Sequence, residues 1–239
     1  MSGRAAAARR WSAVRVATGL VLAAWAGLFW FLLATGRTSL FLSSRTAWLV
    51  PSGAILLTLA AAGRLASARL AREDPLTRRQ AWTLGVVALP VAVLVAMPPV
   101  TLGTYAVGKR SSFGGTAATG VRVVSGSLDF LDVASAQSYD DAARVLAARA
   151  GERIELDGIV TTDATMPPDG FLLTRFIVTC CTADATIAQV RVVGAAPGTF
   201  TADGWVRVVG RVYPIGREVL VAAETIEPIP APRNPYLTP

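Results

Sequence analysis

The run ERIELDGIVT, Glu152 to Thr161, decides how the C-terminal half folds. Ile154, Leu156, Gly158 and Val160 alternate with Glu155, Asp157 and Ile159, the period of two expected of a strand with one face in a core and the other wet. The pattern continues downstream. Gly170 to Cys181 is a strongly apolar strand and Thr186 to Val193 a third; Gly204 to Val212 alternates Val206, Val208, Gly210 and Val212 against Trp205, Arg207 and Arg211; Glu218 to Ile226 is a fifth. Turns are signalled by Pro167-Pro168-Asp169-Gly170, Pro197-Gly198, Asp203-Gly204 and Pro214-Ile215-Gly216, while Gly158 and Gly210 fall where a small barrel must bend sharply. These counts predict a five-stranded OB-like barrel, with a compact five-stranded sandwich as the competing arrangement. One short helix precedes the strands, with Ser138 and Asp141 as an N-terminal capping signature and Gly151 as its stop.

Upstream of this all-β domain the chemistry changes. Three charge-free apolar stretches, Val16 to Gly36, Thr46 to Gly63 and Ala81 to Gly108, are each long enough to cross a roughly 30 Å hydrocarbon core at about 1.5 Å per residue. The organisation expected is a membrane domain over 1–108, with spans near 16–36, 46–63 and 81–102, a flexible linker over 109–126 rich in Gly, Ser, Thr and Ala, and the β domain over 127–239. The first stretch is longer than the apolar core of a secretory signal, so it is read as a retained helix. Pro90 is expected to kink the third helix, and Trp11, Trp48 and Trp82 fall near the interfaces.

Charge predicts the orientation. Arg4, Arg9, Arg10 and Arg15 precede the first span and Arg64, Arg69, Arg72, Arg78 and Arg79 fall between the second and third, whereas the first loop carries Arg37 and Arg45 alone. Basic loops stay cytoplasmic, which places the N-terminus inside the cell membrane and the β domain outside. The formal charge of +7 divides accordingly: 1–108 holds 11 arginines against Glu73 and Asp74, a net +9, and the remainder holds 12 basic against 14 acidic residues, a net −2. The basic residues therefore flank spans, and a nucleic-acid partner is not expected of the mildly acidic domain.

The spans carry no charged residue, so the chain by itself offers no polar pathway and any transport role calls for a partner. Gly19, Ala23 and Gly27 recur every four residues and mark a face on which another helix can approach closely. The chain contains no histidine, no nucleophile-elbow serine and no phosphate-binding glycine loop, and no enzyme class is supported.

The two cysteines of the chain are adjacent, Cys180 and Cys181. On a regular strand their side chains point to opposite faces, and both reach one ligand only where the strand ends; Asp184 after Thr182-Ala183 suggests such an end. Two thiolates and a carboxylate fall one short of a closed structural zinc site and suit a thiophilic ion of low coordination number. The alternative is a pair of small buried thiols at the barrel rim, and a vicinal disulfide fits ordinary disulfide geometry poorly. Arg175 is expected to point away from the thiols as a solvated or ion-paired barrel residue.

The run RFIVTCCTADA from Arg175 to Ala185, with WVRVVGRV from Trp205, NPYL from Asn234 and PPVTLG from Pro98, resembles the YcgQ family of uncharacterised bacterial membrane proteins. The resemblance covers most of the chain, and the double-cysteine run is its most specific part. It implies an accessory or recognition subunit beside a multi-span permease. A cell-envelope protein that handles thiols or soft metals through Cys180 and Cys181 is the second expectation, and the two are compatible.

Overall fold

The computed structural model describes residues 12–68, 75–97, 101–109, 126–161, 167, 169–196 and 200–239. Arg4, Arg9, Arg10, Trp11, Arg69, Arg72, Pro98, Pro99, Pro168, the Pro197-Gly198 turn and nearly all of the expected linker lie outside the described residues. The chain forms two compact units, 1–38 with 47–99 and 39–46 with 100–239.

The first unit holds three helices long and apolar enough to cross a membrane: α1 (Ala13–Ala34), α2 (Leu49–Ser67) and α3 (Arg78–Ala96). Ser12 caps α1 by accepting from the Arg15 amide, and Thr77 with Gln80 forms a reciprocal capping box at the start of α3. α3 runs unbroken through Pro90. It ends at Ala96, short of the expected 102. The Gly19, Ala23, Gly27 face is used unequally. Gly19 is buried against α2, where an added Cβ would sit 2.8 Å from Leu65, while Gly27 is exposed with nothing within 4 Å.

The second unit is built on a closed five-stranded barrel. Its strands are β1 (Arg153–Thr161), β2 (Gly170–Ile177), β3 (Thr186–Val193), β4 (Trp205–Ile215) and β5 (Glu218–Pro228), with β6 (Tyr236–Leu237) added parallel to β2. Closure rests on β1, which pairs antiparallel with β4 along Arg153 to Ile159 and with β2 along Ile159 to Thr161. β3 and β5 run parallel, giving the cyclic order β1-β2-β3-β5-β4 of an OB barrel and excluding the sandwich.

The residues assigned to the inner face of β1 fill the barrel: Ile154, Leu156 and Val160 pack with Leu173, Ile177, Val190, Val192, Val206, Val208, Val212 and Val221. Two short helices cover this core, α5 (Phe130–Ser138) and α6 (Asp140–Ala147), where one was expected. The start of this helical pair is capped by Asp129, which accepts from the Leu131 and Asp132 amides, and Ser138 instead bonds back to the Ala134 carbonyl inside α5.

Outside the barrel a smaller cluster joins Ile159, Phe176, Val178, Ala185, Ile187 and Tyr236 to Leu102, Ala106 and Val107. Residues 104–107, assigned from sequence to the membrane domain, thus form a helical turn, α4 (Thr104–Val107), on the barrel wall. Asp203, with φ +66, accepts from the Thr104 amide and hydroxyl at 2.5 and 2.7 Å, and the Leu102 amide donates to the Tyr236 hydroxyl at 3.3 Å. The Asp203-Gly204 turn therefore also docks the incoming chain.

The register of β4 on β5 shifts between Val209 and Gly210, and a Cβ at Gly210 would stand 2.3 Å from the Ala222 carbonyl oxygen. Gly210→Ala should destabilise the β domain by about 1 to 3 kcal/mol through this overlap. Thermal unfolding followed by near-ultraviolet circular dichroism measures it; a wild-type transition would show that the bulge can move aside.

Candidate functional site

β2 stops at Ile177, four residues before the end expected from its apolar run. The Val178 amide still bonds across to the Leu237 carbonyl at 2.9 Å, and the β2–β3 ladder ends at Ile177 opposite Thr186. Asp184 takes over. Its carboxylate accepts from the amides of Thr179 at 3.1 Å, Cys180 at 2.7 Å and Cys181 at 3.4 Å, closing a loop that continues as the short 3-10 turn Thr182–Asp184.

The carbonyl side of the same loop is bonded by a segment from far upstream. Leu42 forms an antiparallel bridge with Cys181; the Ser43 amide donates to the Cys180 carbonyl at 3.1 Å and the Thr182 amide donates to the Phe41 carbonyl at 2.9 Å. The Ser43 hydroxyl donates to the Thr179 carbonyl at 2.7 Å and the Thr46 hydroxyl to the Cys180 carbonyl at 2.6 Å. From Thr179 to Cys181 every backbone donor and acceptor has a partner, the Cys181 carbonyl accepting from the Asp184 amide at 3.0 Å.

The thiols are what this bonding presents. Cys180 is exposed and Cys181 partly exposed, both are free, and their sulfurs and an Asp184 oxygen lie within 4.8 Å of one another. The strand end thus brings Cys180, Cys181 and Asp184 together as the sequence suggests, and it excludes the alternative of two thiols buried in the core. The Cys180 thiol is pushed above its ordinary value, first by partial desolvation and then by the charge and hydrogen bond of Cys181 and the charge of Asp184. All three groups carry or gain negative charge, so a cation placed among them reverses the sign of that repulsion. The Asp184 carboxylate, with three amide donors, keeps acceptor capacity for such an ion.

Arg175 has a different place from the one expected. It is nine-tenths buried where β1 and β2 part, donating to the carbonyls of Asp157 at 2.9 Å, Asn234 at 3.2 Å and Pro235 at 3.1 Å, with its guanidinium 5.0 Å from the centre of the Trp205 ring. Burial pulls it below its ordinary pKa, against the field of Asp157. Asp157 itself is held by Arg207 through two bonds of 2.8 and 2.9 Å. A cleft of about 560 Å³ lies beside Arg175, bordered by Asp129, Phe130, Glu155 and Leu237. Its neighbouring charges are committed within the fold, with Arg153 on Glu224 at 3.3 Å and Glu155 on Arg207 at 3.2 Å.

Residues 128–239 match the DUF1980 C-terminal domain. Assignment to an uncharacterised family fits, and the DUF1980 domain takes in the barrel, the helical pair ahead of it and all three residues of the thiol cluster. No curated protein matches the chain. Ser43 and Thr46 lie outside the DUF1980 match, and sequence reasoning missed them because a Ser/Thr-rich loop between two apolar stretches carries no periodic signal.

Arg175→Leu should destabilise the β domain by on the order of 3 kcal/mol, since three carbonyls lose their donor in a place that water reaches poorly. Thermal unfolding of the purified protein reads the loss. An unshifted transition would mean that solvent replaces the guanidinium.

Proposed function

We propose that this protein is a membrane-anchored binding module that captures a thiophilic metal cation at Cys180, Cys181 and Asp184, on a domain facing away from the cytoplasm. One observation carries the reading: two free thiols and a carboxylate converge within 4.8 Å on a backbone whose hydrogen bonds are already complete. Three protein ligands at an accessible rim leave coordination positions open, which suits an ion that is taken up and passed on better than one locked in for structure. The role is binding rather than catalysis.

The resemblance to the YcgQ family extends this reading to an accessory subunit of a permease, and charge-free spans that offer no polar pathway of their own support it. In that arrangement the thiol site collects a cation where the permease takes up or releases it.

Charge supports the outward placement, and the fold supports the three crossings that it assumes. Basic residues concentrate before the first span and between the second and third. In addition, residues 39–46, between α1 and α2, bond to residues 179–182 of the barrel, so this loop and the domain share a face, as three crossings require. Labelling with a membrane-impermeant maleimide in intact cells should modify Cys180 and Cys181, and a cysteine introduced at Gln80 should react only after permeabilisation. Protection of the native pair until the membrane is opened would put the domain in the cytoplasm.

Cd²⁺ titration of the reduced protein should give one ion per chain with thiolate-to-metal absorption in the ultraviolet. Cys180→Ser or Cys181→Ser should abolish the band, and Asp184→Ala should weaken binding by about tenfold or more. Since Cys180 is held protonated above the ordinary thiol range, binding displaces protons. Apparent affinity should then rise with pH by up to about tenfold per unit for each proton released and fall on acidification. A reduced protein that shows no such band would sink the metal reading.

A further inference from the structure

We infer that Ser43 and Thr46, in the segment between α1 and α2, are positioning residues of the thiol site; the inference rests on the metal-binding reading above for its ligand. The cluster alone does not explain how two adjacent cysteines face one ion, because consecutive side chains on an extended strand diverge. The chain bends at Thr179 and Cys180 before returning to extended backbone at Cys181, and the polar groups of the bend must find other partners.

Asp184 supplies acceptors for the three amides, and the loop supplies donors for the carbonyls of Thr179 and Cys180. Ser43 is 2% exposed and gives both its amide and its hydroxyl to this purpose, while Thr46 adds a second donor to the Cys180 carbonyl. The two hydroxyls are also 3.2 Å apart, so each restrains the other. Lose them, and the Thr179 carbonyl is left without its donor and the Cys180 carbonyl keeps one of two. The least costly relief is rotation of those peptides toward solvent, which turns the thiols with them.

Docking of the loop is a separable matter. Ser39 donates to the Arg233 carbonyl at 2.7 Å and Ser44 to the Thr238 hydroxyl at 3.3 Å, contacts that hold the same loop without touching the cysteine peptides. The loop lies between α1 and α2 in sequence but in the barrel's compact unit, so the geometry of the thiols depends on a segment that the DUF1980 match does not include.

The experiment uses the full chain in detergent, reduced, with Cd²⁺ alone as probe and with the pH profile of cysteine alkylation by iodoacetamide as a second readout. Ser43→Ala with Thr46→Val should lower Cd²⁺ affinity by about tenfold. It should also shift the alkylation profile away from wild type, as the thiols turn with the peptides released by the lost donors. Ser43→Thr with Thr46→Ser, which keeps both hydroxyls, should restore both values, and Ser39→Ala with Ser44→Ala should leave them near wild type. The inference is overturned if the Ser43 and Thr46 double variant keeps the wild-type affinity and profile, or if the Ser39 and Ser44 variant is affected equally, which would reduce the loop to a general tether. If the wild-type chain binds no Cd²⁺ the metal reading fails by itself, and the alkylation profiles still decide whether Ser43 and Thr46 position the thiols.

Discussion

The Asp184 carboxylate, by accepting the amides of Thr179, Cys180 and Cys181, sets where β2 ends and how the chain turns back toward β3. Three charge-assisted bonds to one side chain replace the ladder that the strand gives up after Val178. Without them three consecutive amides at the barrel rim would need water, and the route from β2 to β3 would have no fixed shape. The acid also lies beside the sulfurs, so the residue that shapes the turn is the one whose oxygen stands within 4.8 Å of both thiols. That double use explains why the thiols converge although they are neighbours in sequence.

The barrel itself meets a related constraint at its other weak point. β1 must pair with both β2 and β4 to close the sheet, yet it meets β2 over Ile159 to Thr161 alone, and the two strands then separate. Arg175 fills the gap. Its three bonds to the carbonyls of Asp157, Asn234 and Pro235 tie β1, β2 and the C-terminal segment together where strand hydrogen bonds are lacking. A buried cation is tolerated there because carbonyl dipoles surround it and an indole face lies under it. Both sites follow one rule: where the ladder stops, a charged side chain satisfies the backbone.

Local pattern made much of this legible. The alternation from Arg153 to Thr161 gives β1 at its observed bounds, because one face of it is in the core and the other in water. The apolar spans are equally plain, since composition alone commits about 20 residues to each. β2 ran too long in the reading because Val178 is buried in the second cluster rather than the barrel, and burial outside a sheet looks the same in sequence as burial within it. The helix expected from Ser138 is α6, whose N-cap is the next residue, Tyr139; the helix missing from the expectation is α5, which Asp129 and Asp132 start nine residues before Ser138. Arg175 and the loop Ser39–Thr46 were illegible in principle. Their partners are backbone carbonyls 18, 59 and 60 residues away for Arg175 and 134 and 136 residues away for Thr46 and Ser43, and a carbonyl leaves no mark in a sequence.

The manner in which the site is built bears on what it is for. A structural metal orders ligands that are disordered without it, and its binding energy is spent on folding. Here the peptides carrying Cys180 and Cys181 are fixed by Asp184, Ser43 and Thr46, with no ion required to complete their hydrogen bonds. Ordering has been met in advance by hydrogen bonds, so a bound cation neither has to assemble the site nor dismantles it on leaving. Pre-organisation of this kind favours rapid uptake, and exposure with three protein ligands favours release to a competing donor set. For the cation proposed here, a preassembled and open cluster of two thiols and a carboxylate is therefore better matched to handing an ion on than to keeping it.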